Sequence, residues 1–369
     1  MTRMDELPAT AHSMDGMYAV PPVRQSPPKA ITTYWGDVWL GGLLSIVVIG
    51  PIAWLNLGLT GGNTADDFLL FTILINYPHF MASYRLLYGK DGSSKQHRYA
   101  AWILPAGLLL WFFGALAFAE KTSAPGTVLT MITTTYLAWH YTGQSWGMVA
   151  TFSHLDNVQM TAKERNLLRW SFHILLAWFV AWFYEQQRDI PPWMISTFDI
   201  TYRLASYAIV ASVILGAIAF YSIRTRLGRP VPFRTVVPWV AIYVWYALLA
   251  RYPAAALFVQ LAHALQYLAF PFRVQENRWR RHGASMDRFA MVRRWGGYYV
   301  VLVVVGLIAI RGFPQLCADL VVTFGGDQRV ITYAALTFFA AVNMHHYITD
   351  GVSWKLRDRT VRDQLFAHL

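Results

Sequence analysis

Charged side chains are scarce in this sequence, at 14% of its 369 residues, whereas an ordinary soluble protein carries about 25%. Hydrophobic residues make up 56% of the chain and aromatic residues 16%. This composition excludes a water-soluble fold. Apolar runs recur along the whole chain, so a protein with a single membrane anchor is excluded as well. The sequence therefore predicts a protein that lies mostly within a membrane.

Cysteine is almost absent, since Cys317 is the only one. A single cysteine excludes disulfides within the chain and any zinc or iron-sulfur site built from thiolates. The motifs GxxxxGK[ST], GxSxG and HExxH are also absent, which removes support for an ATP-driven protein, a serine hydrolase or a zincin. A bound metal would therefore need nitrogen and oxygen ligands.

The hydrophobic pattern predicts an all-α fold, a polytopic bundle of about ten transmembrane helices. Residues 1–35 are predicted to form a disordered cytoplasmic tail, 36–354 the transmembrane domain and 355–369 a second cytoplasmic tail. Only Arg251-Tyr252-Pro253 separates the seventh and eighth spans, which fits a tight hairpin or a re-entrant segment. The predicted spans are 38–58, 67–88, 100–119, 126–152, 166–184, 203–223, 236–250, 254–272, 296–312 and 330–351.

The basic residues predict the orientation of the bundle. Of the 31 Lys and Arg residues, 25 lie on the cytoplasmic side if the N-terminus is cytoplasmic, and only six lie on the other side. Basic loops resist translocation, so both termini are predicted to be cytoplasmic. The net charge of +11 is then expected to face acidic lipid headgroups, and no nucleic-acid partner is expected. Frequent Ala, Arg and Trp favour a bacterial inner membrane.

Polar side chains within the predicted spans are the candidate functional residues, because burying such groups in lipid is costly. Most of them are histidines. They are Asn76 and His79 in the second span, His140 and Gln144 in the fourth, His173 in the fifth, His263 and Gln266 in the eighth, and His345, His346 and Asp350 in the tenth.

The predicted topology places the histidines at a common depth. His79, His263 and His345 precede the cytoplasmic ends of their spans by about six to nine residues, and His140 by about twelve. His173 follows the cytoplasmic start of its span by about seven residues. At 1.5 Å per residue, these positions fall ~9 to 18 Å inside the cytoplasmic boundary. Because the topology rests on charge alone, this agreement favours convergence on one centre.

Several amides and one carboxylate are candidates for orienting the histidines. A ligating imidazole needs its second nitrogen held by a hydrogen bond, although amides in membranes also join helices to one another. Asp350 lies four residues after His346 and is predicted to orient it, to complete the coordination or to cap the helix. Three amides share a helix face with a histidine: Asn76 with His79, Gln144 with His140, and Gln266 with His263.

A centre of several histidines with few carboxylates resembles the iron sites of integral-membrane desaturases and hydroxylases, which carry HxxxH and HxxHH boxes. Here Gln144 stands where a second histidine would follow His140, and His345-His346 lacks the preceding histidine. The chain also resembles the Brp/Blh-type carotene dioxygenases, whose iron is held by histidines on transmembrane helices. These resemblances rest on scattered positions, and they imply an iron-dependent oxygenase, hydroxylase or desaturase.

The leading hypothesis is an integral-membrane metalloenzyme that acts on a lipophilic substrate taken from the bilayer. Non-haem iron, mononuclear or dinuclear, is the expected metal, with copper, zinc or haem as alternatives. An acidic redox partner is expected on the basic cytoplasmic face. The alternative functions are a haem-binding electron-transfer protein and a non-enzymatic carrier or assembly subunit. The predicted ligands are His79, His140, His263, His345 and His346, with His173 as a further candidate.

Overall fold

The structure is a computed structural model that describes residues 29–48, 69–89, 93–186, 192–284, 287–323, 327–355 and 358–368. These residues are helical apart from short connections, which confirms the predicted all-α class. Most of the predicted N-terminal tail and the second half of the first predicted span lie outside the described residues.

Eleven helices are formed by the described residues, and the first ten overlap the ten predicted spans. Their bounds are α1 Tyr34–Val48, α2 69–88, α3 Tyr99–Ala117, α4 Ala124–Leu155, α5 Ala162–Gln186, α6 Pro192–Leu227, α7 Phe233–Arg251, α8 Pro253–Arg281, α9 288–323, α10 Gln328–Ser353 and α11 Arg359–Leu365.

Six of these helices are long and apolar enough to cross a membrane, namely α3 and α5 to α9. The chain therefore has the helices of a membrane protein, while ten crossings and cytoplasmic termini remain predictions. Between α7 and α8 the chain breaks at Tyr252, whose backbone is extended, directly before Pro253. The break falls where the sequence predicts it, because proline is favoured in the first turn of a helix.

Helix α4 occupies the centre of the bundle. It contacts α5 and α7 on one side and α10 on the other. Helix α2 packs on α8, α9 and α10, and α3 packs on α10. The largest apolar cluster fills the space among α4, α5, α6, α7 and α8, where Trp245 is completely buried. Helices α5, α6 and α7 therefore form one group, and helices α2, α3, α9 and α10 form another. The two groups meet along α4, and α8 contacts both.

Helix α4 is rich in polar but uncharged side chains. Helices α2, α4 and α10 are not among the six helices that are long and apolar enough to cross a membrane. Helix α4 contains no Asp, Glu, Lys or Arg, yet its 32 residues include many Thr, Ser, Tyr, His and Gln. A polar helix is compatible with a membrane only where its polar groups face other protein. Several polar side chains of α4 are indeed buried between helices, among them Thr133, His140 and Ser145.

Helix α2 carries an unusually wide turn directly before its histidine. The turn spans Thr72–Asn76, and Pro78 follows in the helix. Proline has no N–H, so it cannot donate to the carbonyl of Leu74 four residues earlier. The hydroxyl of Tyr299 on α9 donates to that carbonyl instead. Wide turns of this kind occur frequently at functional sites, and this one precedes His79.

Helix α1 is kinked where it meets α7. Gly42 has φ of 150°, a conformation that favours glycine. A β-carbon at this position would lie 2.6 Å from the β-carbon of Ala241, so a side chain would also collide with α7. The adjacent carbonyl of Gly41 accepts a hydrogen bond of 2.9 Å from the side-chain nitrogen of Gln266. The kink thus joins α1 to α8 one turn from His263.

A buried ion-pair network ties three helices together. Arg234, at the start of α7, is completely buried. Its Nε and Nη2 donate to Oδ1 of Asp156 at 2.9 and 2.6 Å, directly after α4. Its Nη1 lies 3.3 Å from Oδ2 of Asp37 on α1. Breaking a buried pair leaves an uncompensated charge, so this network holds the ends of α1, α4 and α7 in register.

Replacing Arg234 by alanine would leave the carboxylates of Asp37 and Asp156 buried without their cation. We expect the free energy of unfolding to fall by about 3 to 5 kcal/mol, measured by SDS titration in mixed micelles. Arg359→Ala is the matched control, because its partner Asp363 is 3.5 Å away and the two side chains are 87% and 60% exposed. An exposed pair contributes little, so equal losses in both variants would contradict this account.

Candidate metal centre

Four helices each contribute one histidine to a cluster in the middle of the bundle. Helix α2 supplies His79, α4 supplies His140, α8 supplies His263 and α10 supplies His346. All four side chains are buried. Each offers a ring nitrogen that lies within 4.8 Å of the other three. Four buried histidines are thus placed so that they could hold a metal ion.

The imidazoles approach one another in two close pairs. Nε2 of His140 lies 2.9 Å from Nε2 of His263, and Nε2 of His346 lies 2.8 Å from Nε2 of His79. Two nitrogens bound at about 2.0–2.1 Å to one ion are about 2.9 Å apart at right angles and about 3.4 Å apart at tetrahedral angles. Each observed separation is that of a hydrogen bond between the two imidazoles, and it is also short enough for both nitrogens to bind one ion.

Asp350 brings a carboxylate to the same point. Its Oδ2 lies 3.7 Å from Nε2 of His140 and 3.7 Å from Nε2 of His346. This oxygen is buried and has no hydrogen-bond partner. A buried carboxylate oxygen without a partner is costly, and a cation between it and the imidazoles would remove that cost. The residues present therefore fit a metal ion held by four imidazoles and one carboxylate.

The other oxygen of Asp350 is held by a short hydrogen-bond network. The hydroxyl of Tyr267 on α8 donates to Oδ1 of Asp350 at 2.9 Å. That hydroxyl accepts hydrogen bonds of 2.7 Å from Oγ of Ser83 and from Nε1 of Trp354. Tyr267 therefore fixes the carboxylate so that its free oxygen faces the histidines. The network joins α2, α8 and α10 around the site.

Aromatic rings close the cluster on several sides. Phe80 stacks on His346 with ring centroids 4.1 Å apart, and Tyr347 stacks on His140 at 4.8 Å. The ring of Tyr141 lies 4.4 Å from that of His263. An apolar wall of this kind limits the access of water and lowers the local dielectric, both of which tune a bound metal.

Two predicted ligands are not brought to the cluster. Nε2 of His345 lies 2.9 Å from the carbonyl of Ala100, and its ring stacks on Tyr84 at 5.2 Å. His345 faces α3 because it is offset by ~100° from its neighbour His346. His173 is exposed on α5, where its ring contacts Trp170. Depth in the membrane can be read from sequence, but the direction in which a helix faces cannot.

The amides at the site join helices and make no hydrogen bond with the imidazoles. Gln144 donates to the backbone carbonyl of His263 at 3.1 Å and to Oε1 of Gln266 at 3.3 Å. Gln266 in turn donates to α1. Within the described residues, Gln144 and Gln266 therefore position helix backbones around the centre. Asn76 does not, because its side-chain nitrogen is buried without a partner.

Some residues at the site were missed by sequence reasoning. Ser83 lies one turn after His79 on the same face of α2, a spacing that would have suggested it. Trp354 and Trp139 stand near span ends, a position typical of interfacial anchors, yet Trp354 bonds to Tyr267. Apart from its place directly after His346, no sequence feature of Tyr347 indicated that it belongs to the site.

No family model, curated protein or solved structure matches this chain. The geometry of the cluster is therefore the guide to the function of this chain.

Removing one ligating imidazole should release the metal. We expect His140→Ala and His263→Ala to abolish retention of a stoichiometric metal ion, because each lies in a close nitrogen pair. The measurement is elemental analysis of protein purified in mild detergent, with gel filtration to verify the fold. His173→Ala and His345→Ala are matched controls that should keep the metal. Metal retained by both cluster variants would refute this ligand assignment.

The hydrogen-bond network around Asp350 should tune metal affinity. Residues that orient ligands typically change metal affinity by about 10–100-fold, so we expect Tyr267→Phe to weaken binding by that order. Titration with a competing chelator gives the affinity. Tyr243→Phe provides the control, because the hydroxyl of Tyr243 forms hydrogen bonds with Ser171 and Ser212, away from the cluster. Unchanged affinity in Tyr267→Phe would show that the carboxylate does not depend on this hydroxyl.

Proposed function

We propose that this chain is an integral-membrane, iron-dependent oxygenase, hydroxylase or desaturase of a lipophilic substrate, in which His79, His140, His263 and His346 would hold a non-haem iron. The observation that carries this proposal is the convergence of four buried ring nitrogens within 4.8 Å. Six helices of the described chain are long and apolar enough to cross a membrane, and α8, which carries His263, is one of them. A water-poor metal site inside a membrane is suited to substrates that dissolve in lipid.

The ligand set supports iron among the possible metals. Imidazole binds iron, copper, nickel and zinc, and a carboxylate such as that of Asp350 favours iron in oxygen chemistry. Iron bound there supplies the redox chemistry with dioxygen.

A haem is a poorer fit to the same residues. Bis-histidine haem needs two facing imidazoles with a flat macrocycle between them. The centroids of the four rings are as close as 4.5 Å for His79 and His346 and 4.6 Å for His140 and His263. The imidazoles themselves fill the space that the macrocycle would need. The spacing therefore favours a small ion.

The chain's own groups provide a route for protons. Hydroxylation of a C–H bond by dioxygen consumes two electrons and two protons and releases one water molecule. Tyr267 donates to Asp350 and accepts from Ser83, so a proton can pass along these hydroxyl groups to the carboxylate beside the histidines. Phe80 and Tyr347 stack on the imidazoles and keep bulk water away.

Electrons are proposed to arrive from an acidic redox protein at the cytoplasmic face. Arg280, Arg281 and Arg293 are exposed near the connection between α8 and α9, which is predicted to be cytoplasmic. A basic surface attracts acidic carriers and accelerates their association.

The central experiment is the metal content and reactivity of the purified protein. We expect stoichiometric iron, no Soret band, and dioxygen consumption when a reductant and a membrane-lipid extract are supplied together. Mass spectrometry of the extract should reveal a product with added oxygen or two fewer hydrogens. His263→Ala should lose the iron and this product, while His173→Ala should keep both. Copper or zinc in place of iron, or a Soret band, would overturn the iron assignment.

A further inference from the structure

A narrow cavity of about 190 Å³ adjoins the metal centre. Helices α4, α8 and α10 form its walls, and α11 closes one end. His140 and Asp350 of the cluster belong to its lining. The space beside the candidate reactive centre is therefore continuous with this cavity.

One face of α4 runs along the whole cavity. Its lining residues on this helix extend from Trp139 and His140 to Thr151, at steps of three and four residues. The eleven steps from His140 to Thr151 span ~16 Å at the helical rise. A compact engineered cavity of about 150 Å³ holds one benzene ring. The cavity beside α4 has a similar volume but extends over ~16 Å, so its cross-section is narrow. Its shape fits a single chain and excludes a bulky ring system.

Glycine residues keep this passage open. A β-carbon added at Gly143 or Gly147 would meet no atom within 4 Å, although both residues line the cavity. Gly126, which also lies on α4, has no such free space, because a β-carbon there would lie 2.6 Å from Tyr333. Gly143 and Gly147 therefore leave unfilled space along the wall, and any larger side chain would occupy it.

The two ends of the cavity differ in exposure and polarity. At the end near the metal centre, Trp139 is 43% exposed and Gly143 is exposed. This end also carries buried oxygens without partners on Gln144 and Asp350. At the other end Met148 and Leu365 are buried, and Thr151 uses its hydroxyl in a bond to Gly147. The cavity is thus open and polar beside the centre, and closed and apolar at its far end.

We propose that this cavity binds an unbranched hydrocarbon chain that enters past Trp139 with its methyl end first. The methyl end rests at the closed end among Met148, Phe270 and Leu365, and the chain passes beside His140. The distance from the closed end then selects which carbon faces the centre. This inference rests on the proposed function for its substrate class, but chain binding itself requires no metal.

The test is photolabelling of the purified full-length protein with a long-chain fatty alcohol that carries a diazirine at its methyl end. We expect mapped adducts at Met148, Thr151, Phe270 or Leu365. Gly147→Leu should reduce this labelling by about tenfold or more, because the added side chain fills the passage. Gly114→Leu is the matched control, since Gly114 on α3 also has no atom within 4 Å of an added β-carbon and lies outside this cavity.

Competition on the wild-type protein tests the proposal without any variant. An excess of unlabelled straight-chain alcohol should suppress the adducts, whereas cholesterol should not. Equal labelling in Gly147→Leu and wild type, or adducts spread over α3 and α6, would overturn the cavity assignment. Metal content is measured in the same samples. If the adducts form as expected but the protein holds no metal, the proposed function is wrong and chain binding stands. If the protein holds metal but the adducts do not form, chain binding is wrong and the proposed function stands.

Discussion

The cost of burying polar groups in an apolar interior governs this structure. Four imidazoles and one carboxylate lie in the middle of the bundle, where water cannot satisfy them. The bundle meets this cost by bringing the groups together, so that their free nitrogen and oxygen atoms face a common point. The same arrangement gives the residues the geometry of a ligand set. Stability and candidate chemistry therefore follow from one constraint.

That constraint also explains the architecture around the site. Helices α2, α4, α8 and α10 surround the cluster, and of these only α8 is among the six helices long and apolar enough to cross a membrane. Local irregularities occur where helices meet near the site. Pro78 and the wide turn before it shape α2 next to His79, and Gly42 lets α1 reach α7 while its neighbour bonds to Gln266. The buried network of Arg234 fixes the ends of α1, α4 and α7, which lie away from the cluster.

Sequence reasoning predicted the histidines of the cluster better than their surroundings. Depth is a one-dimensional property, so charge topology and residue counts predicted one level for His79, His140, His173, His263 and His345, the neighbour of His346. The facing direction of a helix depends on its neighbours, which is why His345 turns toward α3 and His173 lies exposed. The hydrogen bonds of Gln144 and Gln266 likewise depend on which backbone lies opposite.

Composition and periodicity by themselves determined that the chain is helical and membrane-like, because scarce charge and long apolar runs permit nothing else. The spacing of polar residues also determined which side chains could belong to a metal centre. Only the tertiary structure decided that four of the histidines meet and that two glycines of α4 border a narrow cavity. It also decided that the hydroxyl of Tyr267 holds one oxygen of Asp350 while the other oxygen lies beside the histidines. These features arise between helices, where distances depend on packing and no single segment encodes them.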